Sequence, residues 1–197
     1  MTSRRQRPNR RRFNWHVPLL LCTALLSSCA HISSPQPTTS PIWQLSGKLA
    51  VSSNQASGSG QLNWLIYPQR FAISLRGPLG YGSARLTGTP QQAILEQGGK
   101  RISGSVDQLS REWLGSELPL QALQHWADGK TAPSTFAVPK DLLYNDQRQL
   151  LSFTQAGWQL RLSRYPDAQK SSRPNKITGQ QGDQRFTLII QSRGDRL

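Results

Sequence analysis

Alternation of apolar and polar residues with a period of two restricts this chain to strands with one buried face. Trp43, Leu45, Gly47, Leu49 and Val51 fall on one side of a first run, and Leu62, Trp64 and Ile66 on one side of a second. Phe71, Ile73 and Leu75 follow, then Ala84 and Leu86, then Ala93, Ile94 and Leu95 ahead of Gly98 and Gly99. That spacing is the period of a pleated strand packed against a core on one side. The short turn-rich gaps between runs indicate an antiparallel meander.

The rhythm changes at Ser105. Ser105 and Gln108 have the spacing of a capping box, and Val106, Leu109, Trp113 and Leu114 share one helical face. Gly115 is placed to end that helix. Pro119 opens a second one, with Leu120, Leu123, Trp126 and Ala127 on one side and Gly129 beyond its end. Strands then return: Leu151 with Phe153, then Trp158, Leu160 and Leu162 after Gly157, then Phe186, Leu188 and Ile190. Pro166–Pro174 reads as a polar loop between them. Strands, helices, then strands, without a βαβ rhythm, define an α+β domain that is mainly β, with helices covering one antiparallel sheet.

One connection stands apart. Between the Phe71–Leu75 and Ala84–Leu86 runs lies Gly77-Pro78-Leu79-Gly80. Pro78 fixes φ and donates nothing to a ladder, while the glycines adopt conformations that other residues avoid. Leu79 is a large apolar side chain with little local cover. Either it tucks under its own loop or it forms an exposed apolar tip.

The N-terminus belongs to export rather than to the fold. Arg4, Arg5, Arg7, Arg10, Arg11 and Arg12 form a positive region without acids, followed by the mostly apolar Val17–Leu26, too short to span a bilayer. Leu26-Ser27-Ser28-Cys29 then resembles a bacterial lipobox, in which cleavage precedes an acylated cysteine. The expected organisation is a signal peptide at 1–28 and an acylated Cys29 with a tether to residue 42. A folded domain at 43–191 and a tail at 192–197 complete it. The Ser-, Thr- and Pro-rich Ala30–Pro41 would reach roughly 35–40 Å if extended at ~3.1 Å per residue. Ala30, rather than aspartate, follows the cysteine, which fits outer-membrane placement.

Loss of the signal removes six of 24 basic side chains, leaving 18 against ten acids and a net charge of +8. No basic run in the remainder exceeds the pair Lys100-Arg101, so a nucleic-acid partner is not expected. Mild attraction to anionic phospholipid headgroups is consistent with the charge. The only other cysteine, Cys22, lies in the signal, so the folded domain has neither disulfides nor thiolate metal sites.

Catalytic chemistry finds little to work with. His125 is the one histidine of the domain and sits beside Trp126 on a predicted helix, at its polar edge. One histidine without cysteine builds neither the common zinc sites nor a Cys–His pair, and no Gly-x-Ser-x-Gly elbow is present. Gly129-Lys130-Thr131 lacks the earlier glycine and the preceding strand of a phosphate loop. An enzyme is not expected, nor a cofactor or metal. The apolar side is richer, with Trp43, Trp64, Trp113, Trp126 and Trp158 in the domain. They are either core or the lining of an apolar cavity. Alternation turns Trp64, Ile73, Leu75, Leu86, Trp158, Leu160, Leu188 and Ile190 inward, with Trp126 covering them from a helix.

Several short marks occur in order behind the lipobox. They are Gly47-Lys48-Leu49-Ala50-Val51, Gly60-x-Leu62-x-Trp64 and the Gly77–Gly80 tip. Further on come Pro119, Leu123, Trp126 and Gly129, then Gln155-x-Gly157-Trp158. Over about residues 43–190 the chain resembles the LolB family of outer-membrane lipoproteins. The resemblance implies an open antiparallel β half-barrel covered by helices and enclosing a hydrophobic cavity. It implies a monomeric acceptor on the periplasmic face of the outer membrane, taking acylated lipoprotein cargo from the soluble carrier LolA. It also implies that Leu79 protrudes and helps deliver cargo into outer-membrane phospholipid. A second class stays open, a lipid-anchored structural or envelope-assembly factor whose apolar sheet face is ordinary core.

Overall fold

The alternating runs pair into one antiparallel sheet. The structure, a computed structural model, describes residues 40–54, 57–78, 82–116, 118–166 and 173–195. The chain divides into two units, Met1–Thr38 and Thr39–Leu197, and the second contains the sheet, the helices and their core. Six strands come first: β1 (Trp43–Ser52), β2 (Ser57–Ile66), β3 (Phe71–Arg76), β4 (Ala84–Gly88), β5 (Ala93–Gln97) and β6 (Lys100–Gly104). Helices α1 (Val106–Leu114) and α2 (Leu120–Ala127) follow. Then come β7 (Lys140–Tyr144), β8 (Leu150–Gln155), β9 (Trp158–Ser163), β10 (Lys176–Gln181) and β11 (Gln184–Asp195).

The spatial order is β6-β5-β4-β3-β2-β1-β11-β10-β9-β8-β7. Sheet neighbours are sequence neighbours everywhere except at β1–β11, which joins the two ends of the domain in the middle of the sheet. Leu49 faces Leu188 and Val51 faces Phe186 across that join, with a register shift between Ser46 and Gly47. A Cβ on Gly47 would lie 2.1 Å from the Ile189 carbonyl oxygen, so glycine is what lets the strands approach there. The helical segment connects the two outer edges, β6 and β7.

Both helices end as their sequence signals require. The Ser105 hydroxyl accepts from the Gln108 backbone N–H at 3.2 Å, and Gly115 closes α1 at φ 60°. Pro119 precedes α2, and Gly129 turns the chain at φ 74° beyond it. Helix α2 buries Leu120, Ala122, Leu123, Trp126 and Ala127. Each large side chain among them contributes roughly 1.5–3 kcal/mol of apolar burial.

Three strands depart from the sequence reading. β6 carries one aliphatic residue, Ile102, and β10 carries one, Ile177, so neither shows a periodic face. β7 is exposed along its whole length, with Leu142, Leu143 and Tyr144 open to solvent at the sheet edge. Leu150 rather than Leu151 is the buried leucine at the start of β8, because the β7–β8 ladder shifts register around Leu143 and Tyr144. The expected tail at 192–197 also needs correction, since β11 pairs with β1 as far as Asp195. Its polar residues hid the strand: the Ser192 and Ser46 hydroxyls hydrogen-bond at 2.7 Å.

Tyr165 ties the strand ends together, its hydroxyl donating to the Leu150 carbonyl at 2.5 Å. Burial pushes its pKa up to about 12 from the ordinary 10. The unfolded chain therefore loses this proton first as pH rises. Stability from the neutral phenol is complete below about pH 10 and falls as pH climbs through about 12. Urea midpoints measured across that range should decline less steeply for Tyr165→Phe than for the parent chain.

Candidate functional site: an apolar sheet face with two openings

The inner face of the sheet meets the helices through aromatic rings and one buried amide. Gly179 on β10 makes room for the Phe186 ring, which a Cβ there would meet at 2.2 Å. Phe186 stacks on Trp126 of α2 with centroids 6.3 Å apart and 9° between planes. Trp158 meets Phe186 edge-on at 5.3 Å, and Phe153 meets Trp126 at 6.4 Å. Gln155, 1% exposed on β8, is the polar member of this layer. Its Oε1 accepts from the Trp126 indole and from the Ala132 N–H, both at 2.9 Å. Its Nε2 donates to the carbonyls of Ala132 at 2.9 Å and Ala137 at 2.7 Å. All four sites of the amide are thereby used.

The C-terminal end of α2 is held from a second side. Trp43 donates its indole N–H to Asp128 at 3.2 Å, and Arg173 lies 3.8 Å from the same carboxylate. Arg193 of β11 donates to the Ala127 carbonyl at 3.0 Å, to Asn175 Oδ1 at 2.8 Å and to the Pro174 carbonyl. A guanidinium on the last carbonyls of a helix also complements its dipole.

Two apolar recesses lie at opposite ends of β3. The first, about 340 Å³, lies where β2 turns into β3, with Trp64, Phe71 and Ile73 on the sheet side and Leu120, Gln124 and His125 on α2. Arg70 at its mouth stacks over the Tyr67 ring at 4.4 Å. The second, about 450 Å³, lies between Val51, Leu75, Trp113 and Leu114 and includes Gly77 and Pro78. β3 lines both, through Phe71 and Ile73 at the first opening and Leu75 at the second.

The residues expected to line a cavity divide accordingly. Trp64 and Ile73 reach the first opening, and the half-buried Leu75 reaches the second. Leu86, Trp126, Trp158, Leu160, Leu188 and Ile190 are 0–4% exposed and belong to the buried core. Cys29, Leu79 and Gly80 lie outside the described residues. His125 lies at the rim of the first opening, on α2 as the helical pattern places it. Alternation missed Phe71, Leu120 and Gln124 as lining, and it missed the role of Gln155. A signal for the last was present, since Gln155 is a polar residue at an inward position two beyond Phe153.

The fold and its openings define a β protein with an apolar inner face, covered by helices and accessible at both strand ends. The family described as outer membrane lipoprotein LolB matches residues 41–192. An outer-membrane lipoprotein LolB of Pseudomonas fluorescens is 37% identical over 150 residues, covering 75% of this chain and 72% of its own. One of Pseudomonas syringae pv. syringae is 30% identical over 194 residues, covering 89% and 93%. A LolA superfamily protein of Nitrosomonas europaea aligns with 81% of this chain and 88% of its own at TM-score 0.47 and 11% identity. The chain belongs to the LolB family of outer-membrane lipoproteins, a family of lipoprotein localisation and not of enzymes.

Replacing Gln155 by alanine leaves the Trp126 and Ala132 N–H groups and the Ala132 carbonyl buried without this partner. Gln155→Ala should cost at least ~3 kcal/mol in urea unfolding, well above the ~1 kcal/mol of an ordinary hydrogen bond.

Proposed function

We propose that this chain receives acylated lipoproteins from the soluble periplasmic carrier LolA and inserts them into the outer membrane. It acts as a monomer, anchored through an acylated Cys29 and facing the periplasm. The observation that carries this reading is the apolar sheet face with an opening at each end, one of them bordered by the Gly77-Pro78 base of the tip. Each methylene withdrawn from water is worth ~0.8 kcal/mol, so a three-chain anchor represents on the order of 30 kcal/mol. Moving such an anchor through an aqueous compartment requires an apolar host at each stage.

On this reading the sheet is a half-barrel wrapped around its helical cover. Support comes from the reach of one short helical segment: α1 packs on β5 and β6, while Trp126 of α2 packs on Phe153 of β8 and Phe186 of β11. The core around Leu86, Trp126, Trp158, Leu160, Leu188 and Ile190 then parts when acyl chains enter through an opening. The near-complete burial of these six residues equally suits a lipid-anchored assembly factor whose core never opens. Uptake of a hydrophobic fluorescent probe by the unacylated domain separates the two, since only a carrier takes it up.

Leu79 tests delivery. Moving a leucine into lipid gains roughly 1.5–3 kcal/mol, enough to orient an opening against the bilayer but not to anchor a domain. Leu79→Glu should leave acceptance from LolA intact and reduce delivery to liposomes, with cargo accumulating on the protein. Leu79→Phe should retain delivery. Equal delivery by the glutamate and leucine forms would make the tip a plain turn. Intact-mass analysis of the membrane-extracted protein should give an acylated chain beginning at Cys29, and an unmodified soluble form would remove the anchor from this scheme.

A further inference from the structure

Trp64 combines two properties that conflict in a closed core. Its side chain is 3% exposed on β2, at the wall of the first opening. Its indole N–H is buried without a hydrogen-bond partner among the described residues. Comparable indoles are satisfied: Trp43 donates to Asp128 and Trp126 to Gln155. Buried donors are normally paired, and an exception calls for a physical reason. The ring is held in place by an edge-to-face contact with Trp43, centroids 5.4 Å apart at 79°. The donor is enclosed behind the wall of an apolar recess, so parting of that wall by an entering ligand would present it to one that is mostly hydrocarbon and carries one acceptor.

We propose that the first opening is the subsite for the carbonyl end of an acyl chain, where the Trp64 N–H donates to the ester or amide carbonyl oxygen. The methylenes lie against Phe71 and Ile73, and Gln121, Gln124 and Arg70 form a polar rim through which the head of the ligand leaves. This deepens the acyl-carrier reading and rests on it. A donor for the carbonyl gives the recess a register along the chain that an apolar wall alone does not supply. The same chemistry exists in membrane phospholipid; the acyl-carrier reading assigns it to the acylated cysteine of the cargo.

The test uses the chain from Cys29 onward, expressed without its signal and therefore unacylated, with ¹⁵N-labelled indoles. Methyl palmitate and octadecane are compared as ligands, the Trp64 signal being assigned by its loss in Trp64→Phe. Both ligands should bind, but only the ester should shift the Trp64 N–H downfield. The ester should also bind about five- to tenfold more tightly, the worth of one net hydrogen bond. Trp64→Phe keeps the apolar ring, so it should abolish the ester preference while octadecane still binds. Should that variant misfold, the ester and alkane titrations of the parent chain decide alone.

Equal affinities with an unmoved Trp64 signal, or an ester preference that survives Trp64→Phe, would overturn the subsite and leave acyl binding standing. Failure of both ligands to bind would overturn the acyl-carrier reading itself. A synthetic triacylated lipopeptide should move the Trp64 signal and phosphatidylethanolamine vesicles should not. The reverse would reassign the carbonyl to membrane lipid and overturn the proposal as stated.

Discussion

The covering of the sheet depends on one buried amide. Gln155 contributes from β8 what no apolar residue can, two donors and two acceptor sites inside a layer of tryptophan and phenylalanine. Through it the helix α2 and the loop up to Ala137 share one hydrogen-bonded attachment to the sheet. The aromatic contacts around Trp126 supply more apolar burial but little direction, because dispersion and water exclusion tolerate sliding. Hydrogen bonds at 2.7–2.9 Å do not. The amide therefore sets where the helix sits, and the rings make that position favourable.

Restraint along α2 is unequal. Its C-terminal half is fixed by Gln155, by the Trp43–Asp128 bond and by Arg193 on the Ala127 carbonyl. Its N-terminal end follows Pro119, which offers no side-chain cap, and lies over the first opening. The sheet shows the matching asymmetry. Its middle is the long β1–β11 pairing and its edges are the five-residue strands β6 and β7. Pairing is thus longest at the centre, and the short edges are joined to each other through the helical segment.

Most strands were legible because burial on one face leaves a period-two record. Trp158, Leu160 and Leu162 are all buried as their spacing predicts, and so are Phe186, Leu188 and Ile190. β10 was hidden because Gly179 occupies the inward position that an aliphatic residue would normally mark, its space being taken by Phe186. β7 left no record because its residues are exposed on both faces. Inward direction was legible for the site as well, but depth was not. Leu188 and Ile73 have the same pattern on their strands, yet Ile73 borders a recess and Leu188 is enclosed. Which inward residue meets space and which meets another side chain depends on where α2 ends, and that is set by hydrogen bonds with no periodic signature.

A closed interior is what the energetics of the proposed function require. Parting six large core side chains without a replacement would expose apolar surface worth roughly 9–18 kcal/mol. An empty chain therefore stays shut and presents little apolar area to water. An entering acyl chain brings about 0.8 kcal/mol per methylene, or on the order of 12 kcal/mol for a chain of about fifteen. The two quantities are of one size, so on the proposed reading contacts among Leu86, Trp158, Leu160 and their neighbours would be exchanged for contacts with the acyl chain at little net cost. A host built this way holds its cargo without trapping it. It needs no nucleotide to release the acyl chain, only a bilayer that offers the same hydrocarbon environment and no core to reopen.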